Sequence, residues 1–328
     1  EDTESIGPGF PDATGWARPR ELVWWRSRDT GCCPRRGQLR THPSNLIQLM
    51  LAKGMSTRRY LRLLPEKGAC MSINATPINE QIVLVTGGAR GLGKAVTEAF
   101  LREGAKVVIN YFSSAEEAEA IVEKHPGQAV AIQADVRDRA QIDALFAQAR
   151  EAFGAPVTTV VSNALIDFSF DGDARPKADE ITYERFESQF AGAIQGTLNV
   201  TQAALPGFDE FGSGRVITIG TNLFQYPVVP YHDYTAAKAA LLSLTRTMAA
   251  DLGPRGVTVN MLSGGLLRTT DASAATPDEV FDLIASGTPL QSVTTPEEFA
   301  DAILFFASPW ARSVTGQNLV VDGGLVKD

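Results

Sequence analysis

Cysteine is nearly absent from this 328-residue chain: Cys32, Cys33 and Cys70 are the only three, and all precede Met71. The cysteine-free remainder has no disulfide framework and no thiolate metal site, which suits a reducing compartment and makes the cytoplasm the expected location. Histidine is equally scarce. His42, His125 and His232 are too few for a histidine-rich metal centre, so no metal is expected. No run of eighteen apolar residues occurs, which argues against a membrane-spanning helix. The adjacent His232 and Asp233 would suit a serine hydrolase, but there is no Gly-x-Ser-x-Gly elbow to carry the nucleophile.

The net charge of −8 is unevenly spread. Residues 1–70 carry ten Arg and two Lys against seven acids, a net of +5, which leaves −13 for residues 71–328. An acidic body argues against nucleic acid as a partner. The first segment has no sustained helical or strand period and is broken by Pro8, Pro11, Pro19, Pro34, Pro43 and Pro65; only residues 45–64 suit an amphipathic helix. Glu1, Asp2, Glu4 and Asp12 disfavour a targeting peptide, no apolar block serves as a secretory signal, and the arginines are interleaved with acids. Residues 1–78 are therefore expected to be a disordered or non-native extension, with translation starting at Met71 behind a purine-rich stretch encoding Glu66-Lys67-Gly68. Residues 79–328 form the expected domain.

From Gln81 the pattern changes. Short apolar runs near 82–86, 106–111, 129–134, 157–162, 215–220, 256–262 and 317–321 read as strands, and they alternate with helical stretches near 92–104, 114–124, 138–153, 180–205, 232–252 and 296–307. Continuous Val/Ile/Leu strands alternating with helices predict an α/β fold: a doubly wound parallel sheet of the Rossmann type, in a single domain. Ligands in such sheets sit at the carboxyl ends of the strands.

The strand 82–86 runs into Thr86-Gly87-Gly88-Ala89-Arg90-Gly91-Leu92-Gly93, where a helix begins. Glycines there allow a sharp turn and close backbone approach to a pyrophosphate, whose charge the helix N-terminus stabilises. The spacing differs from Gly-x-Gly-x-x-Gly, and a purely structural glycine turn is the alternative. After the second strand comes Asn110-Tyr111-Phe112-Ser113-Ser114, without the acid that would hold the ribose hydroxyls of NAD. Arg90 stands where a guanidinium can pair with a 2′-phosphate, so NADP(H) is the expected cofactor; a solvated loop cation is the other reading of Arg90. Asp135, after the third strand, suits acceptance of a hydrogen bond from the adenine amino group, or the N-cap of the next helix, or both.

Tyr234 and Lys238 are one helical turn apart in 232–252 and share a face. A free phenol titrates near 10, and an adjacent ammonium favours the phenolate, tuning Tyr234 for acid-base work. Tyr231 has Thr235 as its i+4 neighbour and reads as pocket wall. Thr221, thirteen residues before Tyr234 at a strand end, can bond a substrate carbonyl oxygen, though strand ends favour Thr in any case.

On these residues, together with Asn163-Ala164, Val259-Asn260, Gly265, Thr269, Thr315-Gly316 and Asp322-Gly323-Gly324, the stretch 80–328 resembles the short-chain dehydrogenase/reductase family, and within it 3-oxoacyl-(acyl-carrier-protein) reductases. The resemblance implies an NADPH-dependent carbonyl reductase of fatty-acid metabolism, acting on 3-oxoacyl thioesters. Tyr234 would be the general acid, Lys238 would lower its pKa and bind the nicotinamide ribose, Thr221 would replace the usual serine, and Thr269 would contact the nicotinamide amide. The implied cofactor-binding set is Thr86, Gly87, Arg90, Gly91, Leu92, Gly93, Asn110, Tyr111, Ser113, Asp135, Val136, Asn163, Ala164, Tyr234, Lys238, Gly265, Leu267 and Thr269. Three positions depart from the family pattern: Leu165 replaces a glycine, Ala193 stands where the family has an asparagine in the fourth helix, and Gly264-Gly265 replaces Pro-Gly.

The stretch 266–289 is expected to be a substrate lid. Leu266, Leu267, Val280, Phe281 and Ile284, with Phe224, Tyr226, Val228 and Val229, are candidates for an apolar pocket, although ordinary helix packing explains the periodic ones equally well. Arg175, Lys177 and Arg268 are candidates for a basic rim facing an acyl carrier protein. The family resemblance implies a homotetramer. Two other functions compete: a dehydrogenase or reductase of a sugar, polyol or other secondary alcohol, and an inactive dinucleotide-binding sensor, the latter motivated by Ala193 and Leu165.

Overall fold

The run Ile82-Val83-Leu84-Val85 has no polar face, and it forms a strand, β1 (Ile82–Val85), with every residue buried. Its side chains alternate between two cores. Val83 and Val85 pack with Phe100, Phe299 and Ile303 on one side, while Ile82 and Leu84 pack with Ile142, Leu145 and Phe208 on the other. A strand apolar on both faces requires helices on both sides of the sheet. The computed structural model supplies them, and it describes residues 76–328 apart from 269, 275 and 328 and the side chain of Asp271. The expectations for residues 1–75, including the helix over 45–64 and the start at Met71, lie outside the described residues, as does Thr269. Residues 76–78, assigned above to the extension, pack on the body: Thr76 is buried and its carbonyl accepts a hydrogen bond from the Gln81 side chain, which also donates to Ala307.

The elements follow in strict alternation: β1, α1 (Gly91–Arg102), β2 (Lys106–Tyr111), α2 (Ala115–Lys124), β3 (Ala129–Gln133), α3 (Arg139–Phe153) and β4 (Thr159–Ser162). Then come α4 (Tyr183–Phe190), a π-helical turn (Ala191–Gln195), α5 (Gly196–Phe211), β5 (Gly214–Thr221), α6 (His232–Leu252), β6 (Val257–Gly264), α7 (Asp278–Gly287), α8 (Pro296–Ala307) and β7 (Asn318–Val321). The seven strands are all parallel, in the order β3-β2-β1-β4-β5-β6-β7. The chain therefore winds outward from β1 to β3, crosses back to β4, and winds outward the other way. The doubly wound Rossmann-type sheet expected from the sequence is present, and its switch point lies between β1 and β4.

Local chemistry explains the element ends. The Asp138 side chain accepts from the backbone N–H groups of Ala140 and Gln141, so Asp138, not Asp135, is the N-cap of α3. Thr295 and Glu298 form a reciprocal capping box at α8. Pro206 suggests an end near 205 for the long helix, yet α5 continues to Phe211. Pro206 removes one backbone bond, and the buried Val200, Ala204 and Phe208 hold the helix on the sheet across it.

Candidate active site

The carboxyl ends of β1, β2, β4 and β5 open on a cavity of about 550 Å³. Its floor is the turn after β1. Gly87 has φ of 62°, in the left-handed region that favours glycine. A Cβ on Gly93 would lie 2.0 Å from the Gly87 carbonyl oxygen and 2.7 Å from Asn163 Nδ2, so no other residue fits that crossing. Arg90, the N-cap residue of α1, carries no side-chain oxygen and makes no capping bond, as suits an anion site at that helix N-terminus.

Gly87, Arg90, Gly91, Leu92 and Gly93 all line the cavity, as do Asn110, Tyr111 and Ser113 from the end of β2. Thr86 does not. It is buried behind the turn, where its Oγ1 accepts from the backbone of Asn163 at 2.9 Å and of Ala164 at 3.0 Å. Its place is thus to clamp β1 to the exit of β4, and the expectation that it faces a cofactor is corrected to a supporting position. Asn163 completes the clamp by donating to the Thr86 and Gly87 carbonyls, and Asn163 and Ala164 both reach the cavity. Asn110 donates to the Ala134 carbonyl and accepts from the Gly87 N–H, tying the ends of β1, β2 and β3 together.

Asp135 and Val136 form part of the wall. The Arg137 guanidinium grips the Asp135 carboxylate with both Nε and a terminal nitrogen, which holds that carboxyl below its usual range. Arg137 also lines the cavity and lies 6.0 Å from the Phe112 ring centre, a contact that sequence reasoning did not single out.

On the far wall, α6 presents Tyr234 and Lys238 side by side. Both are buried, and Lys238 Nζ sits 5.6 Å from the Tyr234 ring centre while donating to the Ile219 carbonyl on β5 at 2.8 Å. The Thr221 hydroxyl, which accepts from the Leu223 N–H at the end of the same strand, acts on the phenol in the direction that favours its ionised form. Three residues distant in sequence thus meet at one point. The expected lowering of the phenol is not what this arrangement yields: burial pushes Tyr234 up to about 12, against the opposing effect of Thr221, and pushes Lys238 down to about 8. Gly265 and Leu267 enter the cavity from the segment after β6.

The apolar wall is only partly the one read from the sequence. Of the pocket candidates Leu267 lines this cavity and Val229 packs in the cluster that holds Tyr234, whereas Phe281 is buried under the Arg268 guanidinium and Tyr226 and Val228 are exposed. Instead, Phe168 and Phe170 stand next to Tyr234. The Phe168 ring stacks on the phenol with centres 4.3 Å apart and planes 16° from parallel. The signal was present in Ile166-Asp167-Phe168-Ser169-Phe170, whose apolar members recur at every second residue in a stretch with no other claim to be a strand. Of the candidate rim cations, Arg268 is paired with Asp278 and Asp282, and Arg175 lines a second, neighbouring cavity.

A family model described as enoyl-(acyl carrier protein) reductase matches residues 87–326, a span that holds the glycine turn, Thr221, Tyr234 and Lys238. The chain belongs to the short-chain dehydrogenase/reductase family. This short-chain dehydrogenase/reductase is 32 % identical to a 3-oxoacyl-(acyl-carrier-protein) reductase of Synechocystis over 76 % of its own length and 99 % of the relative's. It is also 32 % identical to a 2-(S)-hydroxypropyl-CoM dehydrogenase of Xanthobacter autotrophicus, over 76 % of this chain and 97 % of that protein. Among solved structures, a dehydrogenase/reductase from Sinorhizobium meliloti is similar with a TM-score of 0.68 and 34 % identity, covering 78 % of this chain and 98 % of the other. As an oxidoreductase of this family, the protein takes a nicotinamide dinucleotide. The Gly87–Gly93 cradle, which a Cβ would fill, fits one.

Proposed function

We propose that the protein is an NADPH-dependent carbonyl reductase acting on 3-oxoacyl thioesters. The observation that carries the reading is the meeting of Thr221, Tyr234 and Lys238 beside the glycine turn. The dinucleotide would lie with its pyrophosphate on the N-terminus of α1, its adenine against Asp135 and Val136, and its nicotinamide toward Tyr234; when bound in reduced form it supplies a hydride to the carbonyl carbon. Tyr234, protonated at neutral pH, gives its proton to the carbonyl oxygen, so that the product is a secondary alcohol. Lys238, still largely protonated at pH 7, stabilises the phenolate left behind, and Thr221 favours the same ionised form. Arg90 at the cavity rim, with no acid in 110–114, supports NADPH over NADH.

The relative of equal identity that is named for a hydroxypropyl substrate supports a second reading, oxidation or reduction of another secondary alcohol. The deciding experiment follows absorbance at 340 nm with NADPH or NADH against acetoacetyl thioesters, small ketones and sugars, for native protein and Tyr234→Phe. Oxidation of NADPH by thioesters that Tyr234→Phe loses supports the proposal. Turnover confined to sugars or other alcohols selects the second reading, and saturable NADPH binding without turnover of any compound selects a sensor.

A further inference from the structure

The segment between β4 and α4 bends at Asp167, whose φ of 47° lies in the left-handed region; Leu165, Asp167 and Ser169 are exposed, while Ile166, Phe168 and Phe170 are half-buried. Each half-buried group meets a different element. Ile166 packs against Gly192 of the π-helical turn, where an added Cβ would come within 3.1 Å, and its carbonyl accepts from the Gln189 side chain at 2.9 Å. Phe168 stacks on Tyr234. Phe170 sets its edge against Phe168, Tyr231 and Tyr234, and its backbone N–H donates to the Ala272 carbonyl, in the stretch leading to α7, at 2.9 Å. The segment is thus pinned at both ends, and the Phe168 ring between the pins has little freedom to leave the phenol.

Phe168 also lines a second cavity, of about 280 Å³. That space is polar, walled by Ser169, Asp171, Arg175, His232 and Asp233. Among the described residues, Phe168 and Asp167 are common to both cavities, and Asp167 is exposed, so the phenylalanine ring stands between them beside the reacting phenol. A substrate whose carbonyl reaches Tyr234 meets a flat aromatic wall, and a longer group attached to that carbonyl has the ring in its path.

We infer that Phe168 is a specificity-determining residue, closing the reaction chamber against the adjoining cavity and restricting the enzyme to compact carbonyl substrates with a short or flat apolar group next to the carbonyl. The inference rests on the reading of Tyr234 as proton donor. Without the ring the two cavities join, and a chain that was excluded gains a path.

The test measures kcat/KM with NADPH for 3-oxoacyl N-acetylcysteamine thioesters and matched methyl ketones of increasing chain length, for native protein, Phe168→Ala and Phe168→Tyr. The native protein should prefer the shortest substrate over a ten-carbon one by about 10-fold or more, the range that pocket size alone commands. Phe168→Ala should reduce that ratio by about 10-fold or more, and Phe168→Tyr should keep it. A ratio between two substrates in one preparation is insensitive to how much of a variant is folded. Equal use of short and long substrates by the native protein, or a parallel loss on all of them in Phe168→Ala, overturns the inference while leaving the reductase reading intact. Absence of turnover on both series by the native protein, with NADPH bound, overturns that reading and this inference with it.

Discussion

The ammonium of Lys238 donates to the carbonyl of Ile219 at 2.8 Å, and both residues are buried. Desolvation brings the lysine down to about 8. The folded protein therefore binds this proton less readily than the unfolded chain, whose lysine titrates near 10.4. Stability rises with pH between about 8 and 10, and the gain is lost as pH falls through 8. Thermal unfolding of native protein and Lys238→Met from pH 7 to 10 reads this directly. The native Tm should climb relative to the variant's by roughly 4–10 °C, corresponding to about 2–3 kcal/mol. A constant offset would show that the lysine keeps its ordinary value in the fold.

Arg90 should govern the choice of dinucleotide. A charge-assisted bond to a 2′-phosphate is worth about 1.5–3 kcal/mol, so Arg90→Ala should raise the Kd for NADPH about 10- to 100-fold. Affinity for NADH, which lacks that phosphate, should stay within about 3-fold. Fluorescence titration with both dinucleotides checks it, and parallel weakening of the two would remove Arg90 from this role.

Gly93→Ala should weaken dinucleotide binding without abolishing the fold. The new Cβ meets the Gly87 carbonyl, a backbone atom that yields only if the turn itself shifts. Overpacking of this kind costs about 1–3 kcal/mol, or roughly 5- to 100-fold in affinity if the strain falls on the bound form. Calorimetric titration, with circular dichroism as the control for folding, measures it.

Asp322 anchors the residues next to Thr221 from a distance of a hundred positions. It accepts from the Asn222 side chain at 2.9 Å and from the backbone N–H groups of Gly324, Leu325 and Val326. Asp322→Ala leaves these donors unpaired, at a cost of about 2–4 kcal/mol, and should lower Tm by roughly 4–15 °C. The same variant should lower kcat more than it raises the KM for dinucleotide, because Thr221 loses its neighbour's support. An unchanged Tm would rule the anchor out.

Strands and most helices were legible because their apolar residues have no other use. Val83 and Val85 face one core, Ile82 and Leu84 the other, and such a run has only one stable home. The interruption at Ala191–Gln195 was not legible, since a π-turn adds one residue to a helix without changing which residue types line it. Ala193 falls in that turn, so an alignment to the family asparagine compares a side chain where the local feature is in the backbone. Asp135 and Asp138 both precede α3, and only geometry decides between the two readings of Asp135: Arg137 holds it, while Asp138 caps the helix. Phe168 and Phe170 lie in the loop between β4 and α4, where a period of two in the sequence assigns no buried face.

The clamp formed by Thr86 with Asn163 and Ala164 joins residues 77 and 78 positions apart, and Tyr234 lies farther still along the chain. A growing chain therefore displays the glycine turn long before it has the wall opposite. The complete cavity exists only in the finished sheet. Bound dinucleotide consequently draws the population toward the native state by mass action, by about 2.7 kcal/mol at a hundred times its Kd.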